Sequence, residues 1–163
     1  MGAYNGKLCL CDWRHRKSRL LIDSRIQQAL GAKFVIEESH IIDSAIIQLQ
    51  EYFNRKRTSF QLPLHMIGTD FQMSVWKMLI KIPFGTTETY HHLAIKLNNP
   101  NGDRAIAAAN GANSLALIVP CHRVIGMNGS LTGYAGGLDV KRKLLILEGV
   151  PQFANQLDLE FAS

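Results

Sequence analysis

The sequence predicts an α/β fold of the α+β kind: a small N-terminal α/β domain with its linker over residues 1–68, then a C-terminal helical domain over residues 69–163. Three observations predict it. A strand-like apolar segment and two helices come first. A polar, basic stretch, Arg55-Lys56-Arg57-Thr58-Ser59, then breaks the pattern and leads to Pro63. Beyond it come a helix, a short turn, a second helix and a hairpin signal, the outline of a winged helix-turn-helix.

Residues 6–13, Gly-Lys-Leu-Cys-Leu-Cys-Asp-Trp, read as a strand with Cys9 and Cys11 on one face. Asp23 or Ser24 is placed to cap a short helix through Ala29 and Leu30, ended by Gly31. Lys33 to Ile36 reads as another strand. Ser39 opens an amphipathic helix in which Ile42, Ala45, Ile46, Leu49 and Phe53 recur at helical spacing, with Glu51 and Arg55 as an i,i+4 ion pair. Residues 54–69 form the linker.

In the second half, Thr69 and Asp70 cap a helix carrying Phe71, Val75, Trp76, Met78 and Leu79, stopped by Pro83 and Gly85. A helix from Thr87 to Leu97 follows, and Asn98-Asn99-Pro100-Asn101-Gly102 is a turn. Asp103 caps a third helix of small residues: Ala105, Ala107, Ala108, Ala109 and Gly111, with Arg104 near its start. Small side chains suit either close approach to a groove or tight packing against the core. Ser114 to Val119 is an apolar run ending at Pro120. Asn128-Gly129 signals a hairpin, and Tyr134-Ala135-Gly136-Gly137 a tight turn. Asp139 caps the last helix, with Leu144, Leu145 and Leu147 on its apolar face, closed by Gly149 and Pro151.

With 163 residues and 47% hydrophobic composition the chain can bury a core. No apolar run reaches the length of a membrane span, and no secretory leader is expected from Met1-Gly2-Ala3-Tyr4. The net charge of +5 suits a polyanionic partner. The densest positive run, Arg14, Arg16, Lys17 and Arg19, reads as a solvated face. Three cysteines without a leader argue against a disulfide framework and for a reducing cytoplasm. Cys9, Cys11 and His15 invite a zinc reading, but a fourth ligand at a usual spacing is missing; buried apolar cysteines are the alternative.

Cys121 stands in Val119-Pro120-Cys121-His122-Arg123-Val124. A cysteine attacks as thiolate, so it needs a lowered pKa or a base. His122 can take the proton, and Glu148 can orient the histidine. A buried structural cysteine is the competing reading of the pair alone.

The wider constellation decides between them. Pro120-Cys121-His122-Arg123-Val124-Ile125, Asn128-Gly129, Gly133-Tyr134-Ala135-Gly136-Gly137, Lys141, Leu144-Leu145 and Glu148-Gly149 closely resemble the methylated-DNA–protein-cysteine methyltransferase family. Phe71-Gln72, Val75-Trp76, Ile82-Pro83, Gly85, Tyr90, Arg104-Ala105 and Ala109-Asn110 agree. The resemblance is dense over residues 69–149. It implies an active-site loop and DNA repair by a single, irreversible transfer of an alkyl group from O6 of guanine to Cys121 after base flipping. It also implies roles: His122 as base through a water, Glu148 orienting it, Tyr134 donating to the purine ring, the Val124 backbone reading the exocyclic amine, Asn113 as hinge, and Lys141 binding or polarising near the site. Tyr90 would press on the target phosphate. Arg104 would fill the space left by the flipped base, with Ala105 and Ala108 on the helix that enters the minor groove. The implied partner is double-stranded DNA carrying O6-alkylguanine, met by a monomer that needs no metal or other cofactor. Ser114 stands where the family usually has proline, which would loosen the hinge, and Ala107 where glycine is common. A non-catalytic lesion binder on the same fold is the main rival; such relatives commonly carry tryptophan in place of the cysteine. A cysteine hydrolase and a plain winged-helix transcription factor are further alternatives.

Overall fold

The computed structural model describes residues 1–154; residues 155–163 of the expected second domain lie outside the described residues. The chain begins with an antiparallel hairpin of β1 (Gly2–Tyr4) and β2 (Lys7–Leu10). Asn5 and Gly6, at φ 47° and 69°, make its two-residue turn. The strand expected over residues 6–13 is therefore shorter, and it has a partner that the sequence did not announce. Its cysteines do not share a setting either. Cys9 packs with Leu10, Ile22 and Ile26, whereas Cys11 packs with Leu8 and the main core, because both faces of β2 are covered.

Helix α1 (Arg19–Leu30) begins a turn earlier than Asp23 or Ser24 would have capped it, and it ends as expected at Gly31 in the left-handed region. Lys33 to Ile36 is not a strand. Val35 and Ile36 are exposed, and β-branched residues without a partner edge have no ladder to join. Helix α2 (His40–Phe53) follows Ser39. Its buried face runs through Ala45, Gln48 and Tyr52, while Ile46 and Phe53 are exposed. Two polar anchors turn the helix away from its apolar stripe. Gln48 exchanges hydrogen bonds with the Gln61 backbone at 2.8 and 3.0 Å, and Tyr52 reaches Glu148 at 2.7 Å. Arg55 lies past the helix at φ 58°, so Glu51 pairs with Arg57 at 2.7 Å instead.

The second half is built on α3 (Asp70–Leu79), opened by a Thr69/Gln72 capping box. Strand β3 (Glu88–Thr89) takes the first residues of the expected second helix. It leads into α4 (Tyr90–Lys96), capped by the Thr89 hydroxyl. Helix α5 (Asp103–Gly111) has Gly102 at its N-cap, with Asp103 in the first turn. It packs on α3 and α4, giving the helix-turn-helix unit. A 3-10 turn, Cys121–Arg123, leads to β4 (Val124–Ile125), which pairs in parallel with β3. The Asn128-Gly129 signal produces a turn, with Gly126 bonded to Ser130 at 2.9 Å, but no second hairpin strand. The wing is thus a loop. Helices α6 (Leu138–Leu147) and α7 (Pro151–Ala154) close the described chain; Gly137 caps α6, with Asp139 in its first turn.

One apolar cluster joins the two halves: Leu8, Cys11 and Ala45 pack with Val75, Trp76, Leu79, Leu93 and Ile106. Trp76 is at its centre, 1% exposed, and its indole N–H donates to the Ala109 carbonyl at 2.8 Å. That bond locks α3 to the end of α5. Trp76→Phe should cost about 1–3 kcal/mol by leaving the carbonyl unpartnered. Trp76→Ala should cost about 3–5 kcal/mol through the cavity as well. Urea unfolding measures both.

Candidate active site

The site gathers where the end of α5, the 3-10 turn, the loop before α6 and the segment after β2 converge. Cys121 is 4% exposed and lines an open cleft of about 920 Å³ together with Trp13, Tyr90, Asn110 and Tyr134. The sulfur is thus reachable through the cleft. His122 and Glu148 lie behind it, fully or nearly fully buried.

Glu148 terminates α6, and its carboxylate collects donors from four places. The His122 Nε2 donates to Oε1 at 2.8 Å, and the Tyr52 hydroxyl donates to the same oxygen at 2.7 Å. Arg123 donates from Nε to Oε2 at 2.9 Å and from Nη2 to Oε1 at 3.0 Å. The Gly85 N–H adds a bond at 3.2 Å. Burial by itself would raise this carboxyl; the hydrogen bonds and charges of His122 and Arg123 outweigh it and hold it at about 2.

The tautomer of His122 follows. A carboxylate only accepts, so Nε2 carries the proton, and a neutral ring then presents a lone pair at Nδ1. Nδ1 is buried and has no hydrogen-bond partner among the described residues. Burial pushes the imidazole below its ordinary 6.5, against the pull of Glu148 and with the help of Arg123. Burial likewise raises the Cys121 thiol, partly offset by the Asn113 amide and the Lys141 ammonium. Both shifts favour the neutral pair, thiol and free imidazole. The site rests as an acid and a base waiting to exchange a proton rather than as a standing thiolate.

Around this pair the remaining expected residues take definite positions. Asn113 Nδ2 donates to the Val119 carbonyl, and its Oδ1 accepts from Leu115 N–H, both at 2.9 Å, which stitches the loop between α5 and Cys121. Ser114 does not loosen it: its hydroxyl donates to the Cys9 carbonyl at 3.2 Å, and its own carbonyl accepts from Cys11 N–H at 2.8 Å. Lys141 is fully buried and donates to the carbonyls of Val124 at 2.5 Å and Thr132 at 2.8 Å. Burial brings its ammonium down to about 8, with Cys121 opposing. Tyr134 is half-buried, and burial raises its phenol well above the usual value. Tyr90, the first residue of α4, lies beside Asn110, whose amide also donates to the Cys121 carbonyl at 3.2 Å.

The outer face of α5 is free. Arg104, Ala105, Ala107 and Ala108 are exposed, while Ile106, Ala109 and Asn110 point inward. The small residues therefore serve an open surface rather than core packing. Asp103 pairs with His91, and Glu88 with His92 and Lys96, so the carboxylates expected to hold Arg104 are engaged elsewhere.

Sequence reasoning missed three groups. Arg16, taken for part of a solvated face, is buried: it pairs with Asp12 at 2.7 Å and donates to the carbonyls of Asn113, at 2.6 Å, and Gly111. Tyr52 was not singled out at all. Trp13 was read only as a strand end, yet its indole N–H donates to the Tyr134 hydroxyl at 3.0 Å. Arg123 was visible in the motif without a role. Among the described residues no cluster of three or more metal-ligating side chains occurs.

The buried cluster sets the acid stability of the fold. Glu148 has a folded pKa near 2 against an ordinary 4.5. Its contribution is therefore complete above pH 4.5 and is lost as pH falls toward 2. His122, also depressed, adds a loss of the same sign beginning below its ordinary 6.5. Glu148→Gln should destabilise the protein at pH 7 by about 3–5 kcal/mol, because Arg123 is left buried without its counter-charge, and should flatten the acid limb. Unfolding curves across pH test this; a wild-type stability unchanged down to pH 3 would contradict it.

Comparison with known proteins agrees with this geometry. Residues 70–150 match the family described as 6-O-methylguanine DNA methyltransferase, DNA binding domain. The methylated-DNA–protein-cysteine methyltransferase of Methanosarcina barkeri is 51% identical over 113 residues, covering 69% of this chain and 72% of its own. That of Mycobacterium tuberculosis is 51% identical over 104 residues, covering 64% and 63%. The solved M. tuberculosis O6-methylguanine methyltransferase superposes with a TM-score of 0.65 at 47% identity, over 69% of this chain and 68% of that one. The M. tuberculosis OGT solved in complex with DNA gives 0.63 at 50% identity, over 64% of each. The fold, the expected motif and these relatives agree: the chain belongs to the methylated-DNA–protein-cysteine methyltransferase family.

Proposed function

We propose that the protein repairs DNA directly, moving an alkyl group from O6 of guanine onto Cys121 in one irreversible step. The observation that carries this reading is the reachable Cys121 sulfur in a cleft, backed by an imidazole whose proton-accepting nitrogen is left free. In a duplex, O6 lies within the base stack, so the nucleotide must first be extruded into the cleft. The exposed, small-residue face of α5 suits close approach to the minor groove, with Ala105 and Ala108 against the backbone. Arg104 would fill the vacated space, and Tyr90 would press on the target phosphate.

In the cleft, His122 Nδ1 takes the thiol proton through a water. The sulfur attacks the alkyl carbon; the carbon–sulfur bond forms as the carbon–O6 bond breaks, and that electron pair goes to the purine. Tyr134 donates to the purine ring, and the proton given up by the thiol balances the one the departing base gains. The Val124 carbonyl reads the exocyclic amine with the lone pair that Lys141 does not use. Lys141 supplies positive charge near the developing thiolate. Asn113 serves as the hinge, held by Arg16. The thioether has no leaving path, so each molecule acts once. We place residues 69–154 as the DNA-binding and transfer unit, with residues 1–68 supporting it. The protein acts as a monomer on double-stranded DNA carrying O6-alkylguanine. The cytoplasm suits its three free thiols, and among the described residues no helix is long and apolar enough to cross a membrane.

Intact mass after incubation with an O6-methylguanine duplex tests the proposal. The expected gain is one CH2 unit on Cys121, at one equivalent and no more. Cys121→Ala should abolish transfer and retain DNA binding; unmodified wild-type protein that binds tightly would instead mark a lesion binder. His122→Phe should slow transfer by roughly 10²-fold or more, as loss of a general base does. The wild-type rate should fall as pH drops below about 6, where His122 begins to hold a proton. Arg104→Ala should slow transfer from duplex more than from the free base; equal losses would count against the insertion role.

A further inference from the structure

Trp13 comes from the first half of the chain, yet it forms part of the cleft wall opposite α5. Its ring lies against Gly136: a methyl group there would fall 2.8 Å from the indole. It meets the Tyr134 ring edge-to-face, with centroids 6.1 Å apart and planes at 70°. The indole is itself anchored. The Trp13 backbone N–H donates to Asp12 at 2.9 Å, and Asp12 is paired with the buried Arg16, which holds Gly111 and Asn113. A continuous polar chain therefore runs from the end of α5 to the Tyr134 hydroxyl.

An indole N–H can only donate. The Tyr134 oxygen must accept from it at 3.0 Å, so the hydroxyl's own proton is turned elsewhere. Among the described residues no acceptor is bonded to that proton. A hydroxyl that already accepts one hydrogen bond is also the better donor through the other. We propose that Trp13 is a positioning residue for alkyl transfer: its indole N–H fixes the Tyr134 hydroxyl so that the phenolic proton faces the base held in the cleft. This rests on the function proposed above and adds to it a residue from outside the conserved-looking motif of the second half. Trp13 acts through Tyr134; it neither attacks nor takes up a proton.

Trp13→Phe keeps a ring against Gly136 and removes the N–H. Single-turnover methyl transfer from an O6-methylguanine duplex, measured against protein concentration, separates chemistry from binding. Trp13→Phe should lower the maximal rate constant about tenfold, the effect of one lost hydrogen bond, and leave the half-saturating concentration within about twofold. Tyr134→Phe should lower it similarly, and the double variant should be no slower than Tyr134→Phe alone. A Trp13→Phe protein as fast as wild type, or one that slows Tyr134→Phe further by the same factor, would overturn the proposal. Should Trp13→Phe unfold, benzothienylalanine at position 13 replaces N–H by sulfur in the same ring shape; the same outcomes apply to it. A wild-type protein that transfers no methyl group would instead refute the function itself, which the wild-type control reads separately.

Discussion

One buried carboxylate holds the site together. Glu148 joins α2 through Tyr52, the loop before β3 through Gly85, and the turn behind the nucleophile through His122 and Arg123. Without such partners its burial would be prohibitive. Arg123 matters as much as the carboxylate. Its guanidinium neutralises Glu148 in place, so the imidazole can hydrogen-bond to a charged group without being forced to take up a proton. Glu148 then orients His122 and Arg123 keeps it neutral. The result is a fixed lone pair on Nδ1 in a site that water scarcely reaches.

The two halves of the molecule divide the labour by kind of surface. The second half offers an exposed helix of small side chains, together with the nucleophile and its base. The first half contributes few residues to the cleft, but those few brace it. Arg16 grips the end of α5 and the Asn113 turn, and Trp13 covers the glycines before α6. The shared core of Leu8, Cys11 and Ala45 with Trp76 and Ile106 makes these braces rigid. The N-terminal segment is in this sense part of the site and not merely attached to it.

What could be read from the sequence follows how local each cause is. Helix α3 was legible because Thr69, Gln72 and the apolar spacing act within a few residues. The nucleophile, its histidine and the carboxylate were legible as a motif. Contacts between distant residues were not: Arg16 to Asn113, Tyr52 to Glu148 and Trp13 to Tyr134 span 97, 96 and 121 residues. No local pattern marks Arg16 as buried in a run of cations. The segment from Lys33 to Ile36 erred the other way, since β-branched residues signal a strand only where a neighbouring strand offers an edge. The α2 stripe was misjudged because Gln48 and Tyr52, polar residues outside it, set which side turns inward.

The protonation state of His122 is the most direct measure of whether the carboxylate governs the chemistry. Nitrogen-15 NMR of the histidine side chains near pH 7 distinguishes the two neutral tautomers from the imidazolium. His122 should be neutral, protonated on Nε2 and bare on Nδ1. An imidazolium, or a ring carrying its proton on Nδ1, would mean that Glu148 does not prepare the base.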